Sequence, residues 1–375
     1  MFPSILESRV VSALQYMFVG DSLAMPVHWF YNPQDIIQTF PPNGIEGFED
    51  APSYHPSSIM NLHSTSEGGR SNIGRIKNPQ IVGEVILKGR QIFWRQPNEH
   101  YHRGMKAGEN TLNLQVARLL LRTLTKTKGN YDQSLILDSY IDYMTTDPPT
   151  YNDTYAESYH RGFFANLLTG LPKNKCGAVT HDTPSIGGLV SIGPLALTLI
   201  LKELSTSKEI SSEKIKAKCR DHLFLTHPDK SLALISDEFV ELIIRLLFRG
   251  NEASAKDIVG AFAQRNFRSK PLDRYLKLDN TIVVGGLFSP ACYITDSWPA
   301  VLYFATKYAE SPYEGLLANT NVGGDNCHRG AVLGFIYGLI SGEESPLFNK
   351  LTEANSIQKE IQAWLNSIAA RGTLK

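Results

Sequence analysis

Asn319-Thr320-Asn321-Val322-Gly323-Gly324-Asp325-Asn326-Cys327-His328-Arg329-Gly330 runs without a break into the apolar stretch Ala331 to Ile340. Glycines recur there at Gly330, Gly334 and Gly338. A spacing of four places them on one face of a helix, and a face without side chains lets a second helix come close. The segment therefore predicts a central helix entered through a polar, glycine-rich loop. That loop is too dense in ionisable groups for core, which makes the helix start a candidate site. Each residue alone has a plainer reading, because Asp325 and Asn326 are also helix-capping types.

Four other segments share this character. Gly20-Asp21-Ser22-Leu23-Ala24-Met25-Pro26-Val27-His28-Trp29 follows a first helix that Ser4 would cap, with Ile5, Val10, Leu14 and Met17 as its buried stripe. Gly108-Glu109-Asn110-Thr111 opens the best amphipathic pattern in the chain, Thr111 to Leu124. His181-Asp182-Thr183-Pro184-Ser185-Ile186-Gly187-Gly188 leads into another apolar helix, and Thr226-His227-Pro228 precedes a third. Helix N-termini carry unpaired N–H groups and attract anions such as phosphate.

The remaining pattern predicts helices over 80–96, 131–145, 157–169, 188–204, 229–247, 254–263, from Pro299 to Tyr308, and over about 350–370. Thr281-Ile282-Val283-Val284 is the best strand-like run. Residues 33–78, rich in proline, glycine and serine, read as a long irregular loop: either a lid or a merely solvated connection. No fixed-period repeat divides the chain, so residues 1–375 are expected to form one domain.

Composition narrows the function classes. The chain has 375 residues, 42% hydrophobic and 20% charged, with 37 Lys+Arg balancing 37 Asp+Glu. A nucleic-acid binder usually carries a basic excess, so none is expected as a partner. The four cysteines, Cys176, Cys219, Cys292 and Cys327, are scattered and read as free thiols of a reducing compartment. Without a basic leader or an evident membrane-spanning run, the expected location is cytoplasmic, with no membrane partner.

Taken together, the five polar segments resemble the ADP-ribosylglycohydrolase family. Gly20-Asp21-Ser22-Leu23 is similar to its opening Gly-Asp-Ala-Leu, and Gly108-Glu109-Asn110-Thr111 stands where it has Thr-Asp-Asp-Thr. Gly187-Gly188-Leu189-Val190-Ser191-Ile192-Gly193-Pro194-Leu195 resembles its central glycine-rich helix start, Thr226-His227 its Thr/Ser-His, and Gly323-Gly324-Asp325 its Gly-Gly-Asp-Thr-Asp-Thr. The resemblance spans roughly residues 10–342. It implies an all-α, compact orthogonal helical bundle with a central cleft, and hydrolysis of a glycosidic bond at C1″ of ADP-ribose. It further implies two magnesium ions held by carboxylates and threonines of the first and last motifs, a task suited to hard oxygen donors.

The sequence departs from the family at those very positions. Gly108, Glu109 and Asn110 replace Thr-Asp-Asp, and Asp325, Asn326, Cys327 and His328 replace Asp-Thr-Asp-Thr. His28 occupies the place of an assisting glutamate. Two carboxylates, Glu109 and Asp325, remain of four, so one divalent ion is expected rather than two. Magnesium is the family's ion, while imidazoles at His28 and His328 favour manganese or zinc. The metal ligands implied are Glu109, Asn110, Asp325 and His328. Catalytic candidates are His28, Glu109, Asp325 and His328, with a histidine moving the proton. Structural hydrogen bonding is the alternative role for both histidines. Asp21, Ser185, Gly187, Gly188, His227, Asn326 and Arg329 are expected to hold the substrate.

His-Arg-Gly occurs at 102–104, 160–162 and 328–330, which makes Arg103, Arg161 and Arg329 candidates to grip phosphate. Tyr155 and Phe163, beside the polar run Asn152 to His160, could stack on adenine, although core packing also suits Phe163. Three readings follow: a hydrolase of ADP-ribosylated protein or a related nucleotide-sugar, a pseudoenzyme that binds the nucleotide, or a transition-metal enzyme of another reaction class.

Overall fold

The computed structural model describes residues 2–66, 80–206, 209–250, 252–267 and 271–369. The chain is all-α, and among the described residues there is no sheet, only isolated bridges. The helices, in order, are α1 (Ser4–Ala24), α2 (Pro33–Thr39), α3 (Leu112–Lys126), α4 (Gln133–Thr145), α5 (Ser158–Leu168), α6 (Ile192–Thr206), α7 (Ser212–Leu223) and α8 (Lys230–Leu247). They continue as α9 (Ala255–Asn266), α10 (Leu272–Leu276), α11 (Asn280–Val283), α12 (Ile294–Lys307), α13 (Pro312–Asn321), α14 (Asn326–Ser341) and α15 (Ala354–Ala369).

The glycine-faced helix is central, as its spacing predicts. It is α14, and its partner is α1, from the other end of the chain. A Cβ added at Gly334 would lie 2.2 Å from the Tyr16 carbonyl oxygen, and one at Gly338 would lie 2.2 Å from that of Ser12. A Cβ on Gly20, facing back from α1, would lie 2.1 Å from the Gly330 carbonyl. Backbone therefore packs on backbone. Every residue of α14 from Asn326 to Ile340 is buried.

Other elements form for local reasons. In α3, Leu114, Ala117, Leu121 and Leu124 face the core, while Arg118 pairs with Glu353 and Glu360 (2.5 and 2.7 Å) and so ties α3 to α15. Asp229 caps α8 by accepting from the Leu232 N–H (2.8 Å).

Five expectations need correction. Residues 80–96 are not a continuous helix: Gly83 and Gly89 have φ of 98° and 78°, and only short turns survive at Ile81–Val85 and Phe93–Arg95. Residues 281–284 do not form a strand, because Asp279 accepts from the Thr281 N–H (2.8 Å) and caps a helical turn that overrides the β-branched run. Pro3, not Ser4, precedes α1. The stretch 33–78 is partly ordered into α2, which Asn32 caps, and a short turn at Met60–Leu62; its residues 67–79 lie outside the described residues. Two segments, Ser4–Val27 and Ile186–Thr206, are long and apolar enough to cross a membrane by composition, contrary to the sequence reading. Their windows are 94% and 83% buried inside the protein, as core helices are.

Candidate active site

The loop before α14 sets the geometry. Gly323 and Gly324 both have φ near the left-handed region (71° and 70°), which lets the chain turn sharply before Asp325. The turn docks on the segment after α1: the Trp29 N–H donates to the Gly324 carbonyl and the Gly324 N–H to the Phe30 carbonyl, both at 2.7 Å. Two buried histidines hold the next carbonyls, His55 Nε2 at that of His28 (2.8 Å) and His100 Nε2 at that of Pro26 (3.0 Å). Trp29 itself has φ of 63°, an uncommon conformation for a bulky residue, at the junction that aims His28.

These constraints bring four segments together in a row of acids and imidazoles. Asp153 Oδ1 lies 2.8 Å from His102 Nδ1; His102 Nε2 lies 2.7 Å from His28 Nδ1; His28 Nε2 lies 3.0 Å from Asp325 Oδ1. On the far side of Asp325, His328 Nδ1 is 2.8 Å from Oδ1 and His328 Nε2 is 3.1 Å from Glu157 Oε1. Glu157 Oε2 then lies 3.7 Å from His160 Nε2, and His160 Nδ1 meets the Tyr140 hydroxyl at 2.6 Å. Asp153 is fixed by the Leu112 and Tyr155 N–H groups, which donate at 2.7 and 3.1 Å.

The charges follow from proton counting. Three hydrogen bonds link Asp153, His102, His28 and Asp325, and two neutral imidazoles supply only two N–H groups. One extra proton is needed. Burial pushes the His28 pKa down to about 3. The His102 pKa is raised: burial, the largest influence, lowers it, and Asp153 outweighs that. The extra proton therefore belongs on His102. The same competition holds His328 well above its ordinary value, with Asp325 and Glu157 outweighing burial, and holds the Asp325 carboxyl well below its own.

Asp325, His328 and Glu157 reach a cavity of about 120 Å³. Trp29, Tyr101, Tyr155 and Tyr159 give it aromatic walls, and Ser185 and Asp182 lie at its rim. His28 stacks beneath Trp29, with ring centres 3.9 Å apart. A second, largely apolar cavity of about 60 Å³ shares Tyr159 and is lined by Gly187, Gly188, His160 and His227.

The sequence candidates divide accordingly. His28, Asp325 and His328 converge, and Ser185 joins their cavity. A Cβ on Gly187 would sit 3.4 Å from His328 Nδ1, so that glycine lets the backbone pass close to the ring. Gly188 packs on His227, whose ring meets that of Tyr159 at 4.1 Å and a 44° tilt in the second cavity.

Glu109 does not join them. Its carboxylate accepts from Asn152 Nδ2 and the Lys106 N–H, and it lines a different pocket beside Arg118 and Glu353. Asn110 donates to the Phe18 carbonyl and to Asp21, and Asp21 accepts three bonds from Asn110 and Thr111. Both are internal braces. Burial raises the Asp21 pKa to about 6 against those hydrogen bonds. Asn326 donates to the Val27 and Thr320 carbonyls. The arginines of the three His-Arg-Gly triplets are occupied as well. Arg329 donates to Asn319 Oδ1 and to the carbonyls of Asn319, Pro290 and Gly323. Arg161 donates to the carbonyls of Ala156 and Ser64, and Arg103 pairs with Glu99. Glu157, His102 and Asp153 replace Glu109 as partners in the cluster. All three lie in or beside polar runs, but no local spacing links them to His28 or Asp325. Tyr155 does line the cavity, whereas Phe163 is core.

His28, Asp325 and His328 have ligand atoms within 4.8 Å of one another and could hold a metal ion. Asp325 Oδ2 is buried without a hydrogen-bond partner, and neither ring nitrogen of His328 makes an aligned hydrogen bond despite its close carboxylates. These unsatisfied atoms, beside the His28–Asp325 hydrogen bond, fit one ion. Two imidazoles and a carboxylate suit manganese or zinc better than magnesium.

The comparisons agree with this fold. No curated protein matches the chain. A solved structure of an ADP-ribosylglycohydrolase-related protein complex aligns with a TM-score of 0.53 over 97% of this chain and 99% of that one, at 15% identity, and so shares the fold. The model of the family described as ADP-ribosylglycohydrolase matches residues 3–371. On that match the chain belongs to the ADP-ribosylglycohydrolase family.

Proposed function

We propose that this protein hydrolyses the glycosidic bond at C1″ of an ADP-ribosyl group, carried by a protein or by a related nucleotide-sugar, in the aromatic cavity over Asp325. The observation that carries the reading is the convergence of Asp325, His328, Glu157 and His28 at the floor of that cavity. A single divalent ion would be held by His28, Asp325 and His328. When bound, it would polarise the ribose hydroxyls and a water.

The protein's own groups do the rest. Trp29, Tyr101 and Tyr155 offer flat faces to a base or sugar ring and exclude bulk water. His328 lies between the Asp325 and Glu157 carboxylates, 2.8 and 3.1 Å from its two ring nitrogens, and their charges hold a proton on the ring. Glu157 keeps one oxygen, Oε2, without a hydrogen bond, and that atom can take the proton of the attacking water. His28, held by His102 and Asp325, orients the carboxylate.

A pseudoenzyme reading is favoured by one observation: Glu109 and Asn110, the remnants of a second carboxylate motif, are committed to internal hydrogen bonds. Calorimetry with ADP-ribose separates the two, using metal-stripped protein with and without magnesium, manganese or zinc, alongside an assay for released ADP-ribose. Metal-dependent binding and turnover, both lost in Asp325→Ala, are expected. Binding without metal and without turnover would establish the pseudoenzyme, and absence of binding in every condition would remove ADP-ribose as the ligand.

A further inference from the structure

His28 faces a second set of donors on its other ring nitrogen. His28, His102 and the Cys327 thiol also have ligand atoms within 4.8 Å of one another, and all three side chains are buried. The set is distinct from Asp325 and His328, which lie on the Nε2 side of His28. Three features give it the character of a metal site. Asp153 receives the Nδ1–H of His102 at 2.8 Å, which turns the Nε2 of that ring toward His28; carboxylate-oriented imidazoles of this kind are the usual support of a metal-binding histidine. Asp153 is itself pinned by two backbone N–H groups, so the support is rigid. Around the thiol, Met25 and Met105 pack in a small buried cluster, a soft and dry shell.

We infer that His28 Nδ1, His102 Nε2 and Cys327 Sγ form a second metal site, for a thiophilic ion of the zinc or copper(I) class. Two imidazoles and one thiolate are the ligands such ions select, and they reject magnesium. The site stands on its own geometry and does not need the hydrolase reading. His28 then couples the two sites: an ion on its Nδ1 keeps the Nε2–H edge of the ring toward Asp325, and only loss of that further proton would let Nε2 join an outer ion.

Loading balances as follows. The ion takes the place of the proton shared by His28 and His102 and of the thiol proton, releasing two protons; His102 keeps its Nδ1–H toward Asp153 and His28 its Nε2–H toward Asp325. The two ring nitrogens are 2.7 Å apart without the ion. Tetrahedral zinc with bonds of about 2.0–2.1 Å needs them roughly 3.3 Å apart, so the rings open by a fraction of an ångström.

The test is a cobalt(II) titration of the metal-stripped full chain, read by absorption and by metal content. A thiolate-to-cobalt charge-transfer band is expected, displaced by zinc and insensitive to magnesium. Cys327→Ala should lose the band and one ion per chain, with its circular dichroism unchanged, and Cys176→Ser should keep both. His102→Gln removes a nitrogen ligand independently and should also weaken or abolish the band, which keeps the test decisive if Cys327→Ala does not fold. Asp325→Asn, which cuts the outer site and ADP-ribose hydrolysis, should retain it. Cobalt binding without a thiolate band, or a band unchanged in Cys327→Ala, would overturn the second site while leaving the hydrolase reading intact.

Discussion

Arg329 is a residue whose chemistry and placement disagree with its sequence context. Beside an anion-binding type of loop it reads as a phosphate grip, yet its guanidinium is buried and spends itself on the carbonyls of Pro290, Asn319 and Gly323. It therefore holds the loop that aims Asp325. Arg329→Met should leave these buried acceptors unpaired, at about 1–3 kcal/mol each, and lower the urea midpoint strongly with little change in m. Glu109 makes the opposite case. Glu109→Ala should bind ADP-ribose and metal as the parent does in calorimetry, whereas Asp325→Asn should lose metal-dependent binding by two orders of magnitude or more. His28, Asp325 and His328 were legible because each stands in a polar, glycine-bracketed run. Glu157 and His102 were not, because only the folded topology brings positions 102, 153 and 157 to positions 28 and 328.

At the scale of elements, the glycine spacing of α14 was the most readable feature in the chain, since a four-residue repeat of the smallest side chain has one physical meaning. Gly334→Ala would put its methyl 2.2 Å from the Tyr16 carbonyl of α1, and it should push α1 and α14 apart and cost several kcal/mol in melting experiments, or prevent folding. Gly260→Ala, in α9, is the matched control. Its new methyl meets Thr306 at an ordinary 3.6 Å, so helix propensity should dominate and stability should rise by up to about 1 kcal/mol. The misread elements failed for equally local reasons. A period-3.6 pattern over 80–96 lost to two positive-φ glycines, and the β-branched run 281–284 lost to the Asp279 cap.

Across the whole molecule, the buried histidines govern acid stability. Burial lowers the pKa of His28 and His227 to about 3 and of His55 and His222 to about 4, and pushes His100 and His160 well below the ordinary value. Below about pH 6.5 these rings protonate only in the unfolded chain, so stability is lost as pH falls. Asp21 acts in the other direction between about pH 4 and 6, since its raised pKa makes the folded state bind the proton. His102 and His328, with raised pKa values, lend stability that is lost as pH rises above about 6.5. Stability should therefore peak near pH 7, and unfolding at pH 5 should take up about five protons, read from the slope of unfolding free energy against pH. The pairing of α1 with α14 has one more consequence, for synthesis. The ribosome makes Ser4–Ala24 about 300 residues before Asn326–Ser341, and at about 5–20 residues per second the apolar α1 waits roughly 15–60 s for the surface that covers it. Throughout that interval the nascent chain carries an uncovered greasy helix, a natural client for a holding chaperone, and its collapse onto α1 is timed by the arrival of Asn326–Ser341.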